Sequence, residues 1–257
     1  MNAGINLYSL RTLIDTEERF LNTAIKLKEQ GYSYLQYSGA PFDPQRIKRV
    51  CDGSGLPVVL THVPLDRIIN DTDALMDDHD VFGCRYIGLA AMPFDIATDF
   101  DKVKRTVEGL EAAAEKMERN GFKFFYHNHH TEFIRYGGET IFDRLVNNAP
   151  HVNFTADVYW LQYGGADVTE TIKRLSGRVG CIHLKDYRIV PKRTEKGLDL
   201  VPDFAPVGAG SFDFPRIVKT AREAGAELFF VEQDDACLYD DPFAQVGQSI
   251  DYVLSHL

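Results

Sequence analysis

The sequence predicts an α/β fold of the (β/α)8 barrel class, and two observations predict it. Short apolar runs alternate with longer amphipathic stretches eight times along the 257 residues, the signature of repeated βα units closing on a parallel sheet. Several runs also end on a charged or imidazole group, and the C-terminal ends of strands are where a barrel enzyme keeps its chemistry.

Taken in chain order, the strand candidates are Ile5–Ser9, Tyr34–Tyr37, Val58–His62, Tyr86–Ala90, Phe124–His127, Asn153–Asp157, Cys181–His183 and Phe229–Glu232. Helical patterns fall near 17–30, 43–53, 67–82, 98–119, 139–148, 168–176, 213–224 and 242–256. Thr16 or Asp15 can cap the first helix, with Glu17 and Glu18 in its opening turn, and Gly31 follows its last turn. Asn120-Gly121 and Ala224-Gly225 close later helices in the same way. Between 101 and 119, Val103, Val107, Leu110, Ala114 and Met117 recur at close to helical spacing, so one flank packs on the barrel and the other is solvated. No Pro/Ser-rich linker divides the chain, which reads as one domain over 1–257. The two longest irregular stretches, Arg188–Ser211 and Asp234–Asp241, fall where the loops after strands seven and eight would form a pocket rim or lid.

A chain of this length with 44% hydrophobic residues can bury a large core. The formal net charge is −10, from 38 acidic against 28 basic residues, which opposes attraction of nucleic acid or an anionic membrane and favours a small-molecule substrate. Cys51, Cys84, Cys181 and Cys237 lack the paired spacing of a zinc ribbon, redox motif or disulfide framework and read as reduced thiols. Met1-Asn-Ala-Gly-Ile-Asn-Leu7 lacks a basic region before a long apolar stretch, and no segment approaches the ~18 uninterrupted apolar residues of a membrane span. A cytoplasmic location is the expectation.

The runs Lys123-Phe-Phe-Tyr-His-Asn-His129, Val152-Asn-Phe-Thr-Ala-Asp157, Val179-Gly-Cys-Ile-His183 and Leu228-Phe-Phe-Val-Glu232 carry the functional signal. They bring His127, His129, Glu132, Asp157, His183 and Glu232 toward one barrel mouth, a donor set that suggests a shared divalent-metal site. Each residue alone also has a structural reading. Asp157 can cap the following turn, His183 can bond a backbone carbonyl, Glu132 can pair with Arg135, and His127 and His129, on one face by alternation, can simply line a polar mouth. His62 ends the third strand candidate and would point into the same mouth. Lys185 lies two residues past His183 and can hold a substrate hydroxyl, carboxylate or phosphate, or pair with Asp186.

Several blocks are also suggestive in their order and spacing: Leu7-Tyr-Ser-Leu-Arg11, Tyr126-His-Asn-His-His-Thr-Glu-Phe133, Ala156-Asp-Val-Tyr-Trp160 with Gly164-Gly-Ala-Asp167, Ile182-His-Leu-Lys-Asp186, Val207-Gly-Ala-Gly210 and Val231-Glu232. Together they resemble the sugar isomerase/epimerase superfamily with the xylose isomerase-like TIM barrel, over nearly the whole chain. The resemblance implies one divalent ion, Mn²⁺ or Mg²⁺ ahead of Co²⁺ or Zn²⁺, held by a carboxylate after strand five, Asp157 after strand six, His183 after strand seven and Glu232 after strand eight. At strand five the chain departs from the pattern. The usual Glu position falls at or near His127, with Glu132 several residues on, and the ligand is open between them. Such an ion can chelate adjacent hydroxyl and carbonyl oxygens of a sugar and stabilise the enediolate formed when a neighbouring C–H loses its proton. By the resemblance Glu232 is also a base, and an imidazole, His127 or His129, replaces the second carboxylate. Tyr8 and Trp160 offer apolar walls for a sugar ring, beside His62, Lys185 and Glu132 as substrate contacts. Gln36 stands where many relatives carry Glu, and Ala209 replaces the usual Glu of the Gly208/Gly210 turn.

The function implied is a metal-dependent isomerase or epimerase of a sugar, keto-sugar or polyol. A lyase using the same proton abstraction on a keto-inositol or 3-keto-glycoside is the alternative. Abasic-site endonucleases on a related barrel need more ligands and a basic groove, which this acidic chain does not offer. A non-catalytic partner subunit is opposed by the intact Asp157, His183 and Glu232 set. No interface signature is visible, so homo-oligomerisation stays open.

Overall fold

The computed structural model describes residues 1–195 and 197–257. Eight parallel strands close into a barrel: β1 (Gly4–Asn6), β2 (Tyr34–Tyr37), β3 (Val58–His62), β4 (Tyr86–Leu89), β5 (Lys123–His127), β6 (Asn153–Asp157), β7 (Val179–Leu184) and β8 (Leu228–Val231). Neighbours in the chain are neighbours in space, and β8 returns to β1 through Gly4↔Phe230 and Ile5↔Val231. The larger apolar core lies between this sheet and the surrounding helices. In the helix Phe100–Arg119, Asp99 accepts from the Asp101 and Lys102 amides at the N-cap, and Val103, Val107, Leu110, Ala114 and Met117 form the buried flank.

Inside the barrel, the two-residue strand period separates two layers. Leu60, Phe125, Cys181 and Phe230 form an apolar floor. Two positions further along the same strands come His62, His127, His183 and Glu232, joined by Asn6, Gln36 and Asp157 from the ends of β1, β2 and β6. Burial of each large apolar floor residue contributes about 1.5–3 kcal/mol, so the floor fixes the height at which the polar ring sits. On β4 the ring position is Gly88, where a Cβ would meet Thr61 O at 2.7 Å and His62 Cδ2 at 3.1 Å. The missing side chain leaves room for the imidazole.

Three departures from the sequence expectation have local causes. The first strand stops at Asn6 rather than Ser9, because Asn6 Oδ1 accepts from the Tyr8 amide at 3.1 Å and turns the chain into the 3-10 segment Leu7–Leu13. The helical pattern near 67–82 splits into Leu65–Asn70 and Thr72–Asp80, with Asp71 between them in a non-helical conformation. The stretch read as irregular after strand seven contains a long antiparallel hairpin, Asp186–Thr194 with Gly197–Ala205. Charged residues on both of its strands, together with Pro191 and Pro202, hide the alternation by which a strand is recognised. Among the described residues no helix is long and apolar enough to cross a membrane.

Candidate metal centre and substrate cavity

The strand ends bring His127, Asp157, His183 and Glu232 together as one buried group, with one donor atom from each lying within 4.8 Å of all the others. The register explains why. Asp157 pairs with His183 across β6 and β7, and His127 pairs with Thr155, two residues short of Asp157.

Both histidines are held in the tautomer a metal ion requires. His183 Nε2 donates to Gln36 Oε1 at 2.6 Å, and His127 Nδ1 donates to the Ala90 carbonyl at 2.8 Å. The nitrogens left over, His183 Nδ1 and His127 Nε2, face the cluster, where each ring, once neutral, would present its lone pair to an ion. Asn6 Nδ2 donates to Glu232 Oε1 at 2.8 Å, while Glu232 Oε2 is buried without a properly directed hydrogen bond. That oxygen lies 2.6 Å from His183 Nδ1 and 3.3 Å from Lys185 Nζ, in the field of both groups. Asp157 Oδ1 caps the next helix by accepting from the Trp160 amide, and Oδ2 remains for the cluster. Two imidazole nitrogens and two carboxylate oxygens, one of them unsatisfied, fit a divalent cation.

The electrostatics agree. Burial alone would raise the Asp157 and Glu232 carboxyls, but Lys185 and the neighbouring imidazoles hold both well below the usual carboxylate range. Burial and the neighbouring His183 lower His127. Burial also lowers His183, but Glu232 and Asp157 outweigh it and bring the ring up to about 9. His129 is pushed down to about 2 by burial and by the charges of His127 and Lys185, which leaves a neutral imidazole at the cavity wall.

A cavity of about 410 Å³ opens above this group, lined in part by Tyr8, His62, His129, Trp160, Lys185 and Glu232. All of these were singled out in the sequence. Lys185 Nζ contacts Asp157 at 3.1 Å, Glu232 at 3.3 Å and Asp234 at 3.0 Å, rather than pairing with Asp186. Asp186 instead accepts from five backbone amides, those of Tyr187, Gly208, Gly210, Ser211 and Phe212. The Gly208/Gly210 turn therefore wraps a carboxylate of its own chain, and a Cβ at Gly210 would lie 2.2 Å from Asp186 Oδ1.

Glu132 requires a correction, as ligand and as substrate contact. It is fully buried but stands outside both the four-residue group and the cavity lining. Its oxygens accept from Tyr126 OH at 2.7 Å, the His129 amide at 2.7 Å and Thr131 Oγ1 at 3.2 Å, which turns the carboxylate away from the mouth. Of the two strand-five alternatives, His127 is the one that reaches the cluster. Sequence reasoning passed over Asn6 and Asp234, and noted Gln36 only as a departure from the Glu of its relatives. Gln36 bridges His183 and His62, its Nε2 lying 2.7 Å from His62 Nε2. The available signal was position alone, since Asn6 ends β1 and Gln36 is the last residue but one of β2, much as the catalytic-type residues end later strands.

An eight-stranded parallel barrel with a buried His/Asp/Glu cluster under a cavity at its C-terminal mouth has the architecture of a barrel enzyme. The chain belongs to the xylose isomerase-like TIM barrel family, whose model matches residues 25–256. An inosose dehydratase of Geobacillus kaustophilus is 30% identical over 166 residues, which cover 59% of this chain and 53% of that protein. The chain thus matches about half the length of that relative. A sugar phosphate isomerase/epimerase of Parabacteroides distasonis superposes with a TM-score of 0.80 at 23% identity, over 99% of this chain and 94% of its own. A xylose isomerase-like barrel protein of Mycobacterium smegmatis, solved in complex with magnesium, gives 0.68 at 13% identity, over 98% and 95%.

Proposed function

We propose that this protein is a divalent-metal-dependent enzyme that removes a proton from carbon next to a carbonyl of a sugar, keto-sugar or polyol, with isomerisation or epimerisation as its reaction. One observation carries the reading: two carboxylate oxygens and two imidazole nitrogens, each ring held by its other nitrogen, converge beneath a cavity at the barrel mouth. His127, Asp157, His183 and Glu232 would hold the ion, Mn²⁺ or Mg²⁺. When bound, it supplies the positive charge that acidifies the C–H and offsets the negative charge developing on oxygen.

The chain's own groups do the rest. Glu232 is ionised, lines the cavity and is oriented by Asn6, which suits it to take the proton. Lys185 steadies the charge of Asp157 and Glu232. His129, neutral and lining the cavity, offers a substrate hydroxyl or carbonyl a hydrogen bond, or the acid/base partner to Glu232. His62, Trp160 and Tyr8 complete the wall around a small sugar, a class of substrate that the chain's acidity favours over nucleic acid.

A lyase is the second reading, and two observations favour it. His127 stands at a strand end where a two-carboxylate epimerase would place its other acid/base group, and the stretch shared with an inosose dehydratase points the same way. The test is elemental analysis of the purified protein together with incubation in D₂O with ketoses, keto-inositols and 3-keto-glucosides plus Mn²⁺ or Mg²⁺. One equivalent of metal and deuterium entering beside the carbonyl are the expected results, and the product separates isomerase from lyase. Neither metal nor exchange would sink the proposal and leave a binding or partner subunit.

A further inference from the structure

The metal-side cavity has a second, apolar compartment. A cavity of about 740 Å³ adjoins it and shares Tyr8, Ser38, His62, Ala90 and Ala91 with it. Its remaining walls come from the loops after β2, β3 and β4, among them Pro41, Phe42, Val63, Pro64, Leu65 and Pro93. Neither Lys nor Arg lines this compartment.

Among the described residues lining the two compartments, Lys185 is the only Lys or Arg, and its ammonium is already matched by Asp157, Glu232 and Asp234. Arg11, beside the mouth, is tied to the Tyr8 and Asp234 carbonyls at 3.0 and 2.7 Å. The glycine turn after the hairpin spends its amides on Asp186. Within the lining of the two compartments a phosphoryl dianion would find no unmatched cation, since Arg11, whose guanidinium is bonded to neutral carbonyls, stands beside the mouth and not in either wall, and burying a charge without a partner is costly. An aromatic or alkyl group would find an apolar pocket of the ordinary ligand-binding kind. Two exposed aromatic side chains stand on these walls, Tyr8, shared by both compartments, at 37% and Phe94, on the metal-side cavity, at 72% exposure.

We infer that the substrate is an unphosphorylated sugar carrying an apolar, aryl-sized substituent, with the sugar over the His127/Asp157/His183/Glu232 group and the substituent in the compartment walled by Pro41, Phe42, Val63, Pro64, Leu65 and Pro93. This rests on the sugar-directed function proposed above and names the substrate class of that site. His62 stands at the junction between the two compartments, where the linkage between sugar and substituent would pass.

The test is isothermal titration of the Mn²⁺-supplemented protein with methyl β-D-glucopyranoside, p-nitrophenyl β-D-glucopyranoside and glucose 6-phosphate. The aryl glucoside is expected to bind at least tenfold tighter than the methyl glucoside. That advantage should disappear in Leu65→Asp, which puts a charge on the wall of the second compartment, and in Ala40→Trp, which fills it from Ala40 in the same lining, while the methyl glucoside is bound as by wild type. Circular dichroism and melting of both variants establish that they are folded. Equal affinity for the two glucosides, binding of none of the three probes, tightest binding of the phosphosugar, or an aryl advantage that survives in the folded variants would each overturn the inference. Deuterium exchange separates this inference from the reading beneath it. An aryl preference without metal-dependent exchange on any keto-sugar removes the proton-abstraction chemistry but leaves the compartment, and exchange without an aryl preference does the reverse.

Discussion

Gln36→Leu removes the acceptor that sets the His183 tautomer, together with the Gln36 Nε2 contact to His62. Gln36 and His183 are fully buried and joined at 2.6 Å. Leucine nearly matches glutamine in shape but accepts nothing from His183 Nε2–H. Glu232 Oε2 lies 2.6 Å from His183 Nδ1, so a ring freed from Gln36 gains by carrying its proton on Nδ1, the atom that would bind the ion. Loss of such an outer partner typically lowers metal affinity 10–100-fold, and at about 1.4 kcal/mol per tenfold this is about 1.4–2.8 kcal/mol. Gln36→Glu keeps an acceptor oxygen for Nε2–H and should hold the ion at least as tightly as wild type. The assay is Mn²⁺ titration followed by electron paramagnetic resonance of the free ion, with thermal melting to establish the fold. A folded Gln36→Leu that binds Mn²⁺ within twofold of wild type would refute the tautomer argument.

Glu232→Gln should reduce deuterium exchange by at least ~10²-fold, the usual scale of one acid/base group, and leave the far-ultraviolet circular dichroism unchanged; exchange near the wild-type rate excludes Glu232 as the base. Glu132→Ala should cost about 2–4 kcal/mol in urea unfolding, because the Tyr126 hydroxyl and the His129 amide lose their buried acceptor. Metal content should stay at the wild-type level, and its loss from a folded variant would restore Glu132 as a ligand. The His151 imidazole is raised from its ordinary value chiefly by its hydrogen bond to Glu111. A raised folded-state value means that its contribution to stability is fully present below the unfolded value and fades as pH climbs through the folded one. A proton NMR titration should find the His151 pKa above ~6.5 and falling toward it in Glu111→Gln; equal values in the two proteins would contradict the assignment.

Much of the barrel was legible because its strands and helices are written in different periods. The apolar runs at Tyr34–Tyr37, Val58–His62 and Asn153–Asp157 coincide with strands residue for residue, since a strand buried on both faces has little room for polar interruption. The ends of elements depend on side-chain to backbone bonds that a period does not reveal. Asn6 ends β1 by bonding the Tyr8 amide, and nothing in the hydrophobic pattern marks that bond. The site divides along the same line. Asp157, His183 and Glu232 stand at strand ends and could be placed from sequence. Choosing between His127 and Glu132 required knowing which way a carboxylate turns, and Tyr126 decides that through a hydroxyl six residues away. Gln36 was noted only as a missing Glu, because its role is to hold another residue and a chemically neutral amide carries no signal of that use.

Charge balance ties the centre to the kind of substrate above it. Asp157, Glu232 and Asp234 place three carboxylates around the single ammonium of Lys185. Asp234 is raised to about 6, mainly by burial, which still leaves it ionised above neutral pH. Three negative charges against one positive leave a deficit of two, and buried charge persists only when matched. The same negative surplus draws His183 up to about 9. A divalent ion would meet the deficit, and the proton on His183 would be released as Nδ1 became a ligand. Once that balance is reached, the centre itself has no positive charge left for a dianionic group on the substrate. The centre is therefore matched to a ligand that brings neutral oxygens, a carbonyl and hydroxyls, and the apolar compartment beside it takes what those oxygens are attached to.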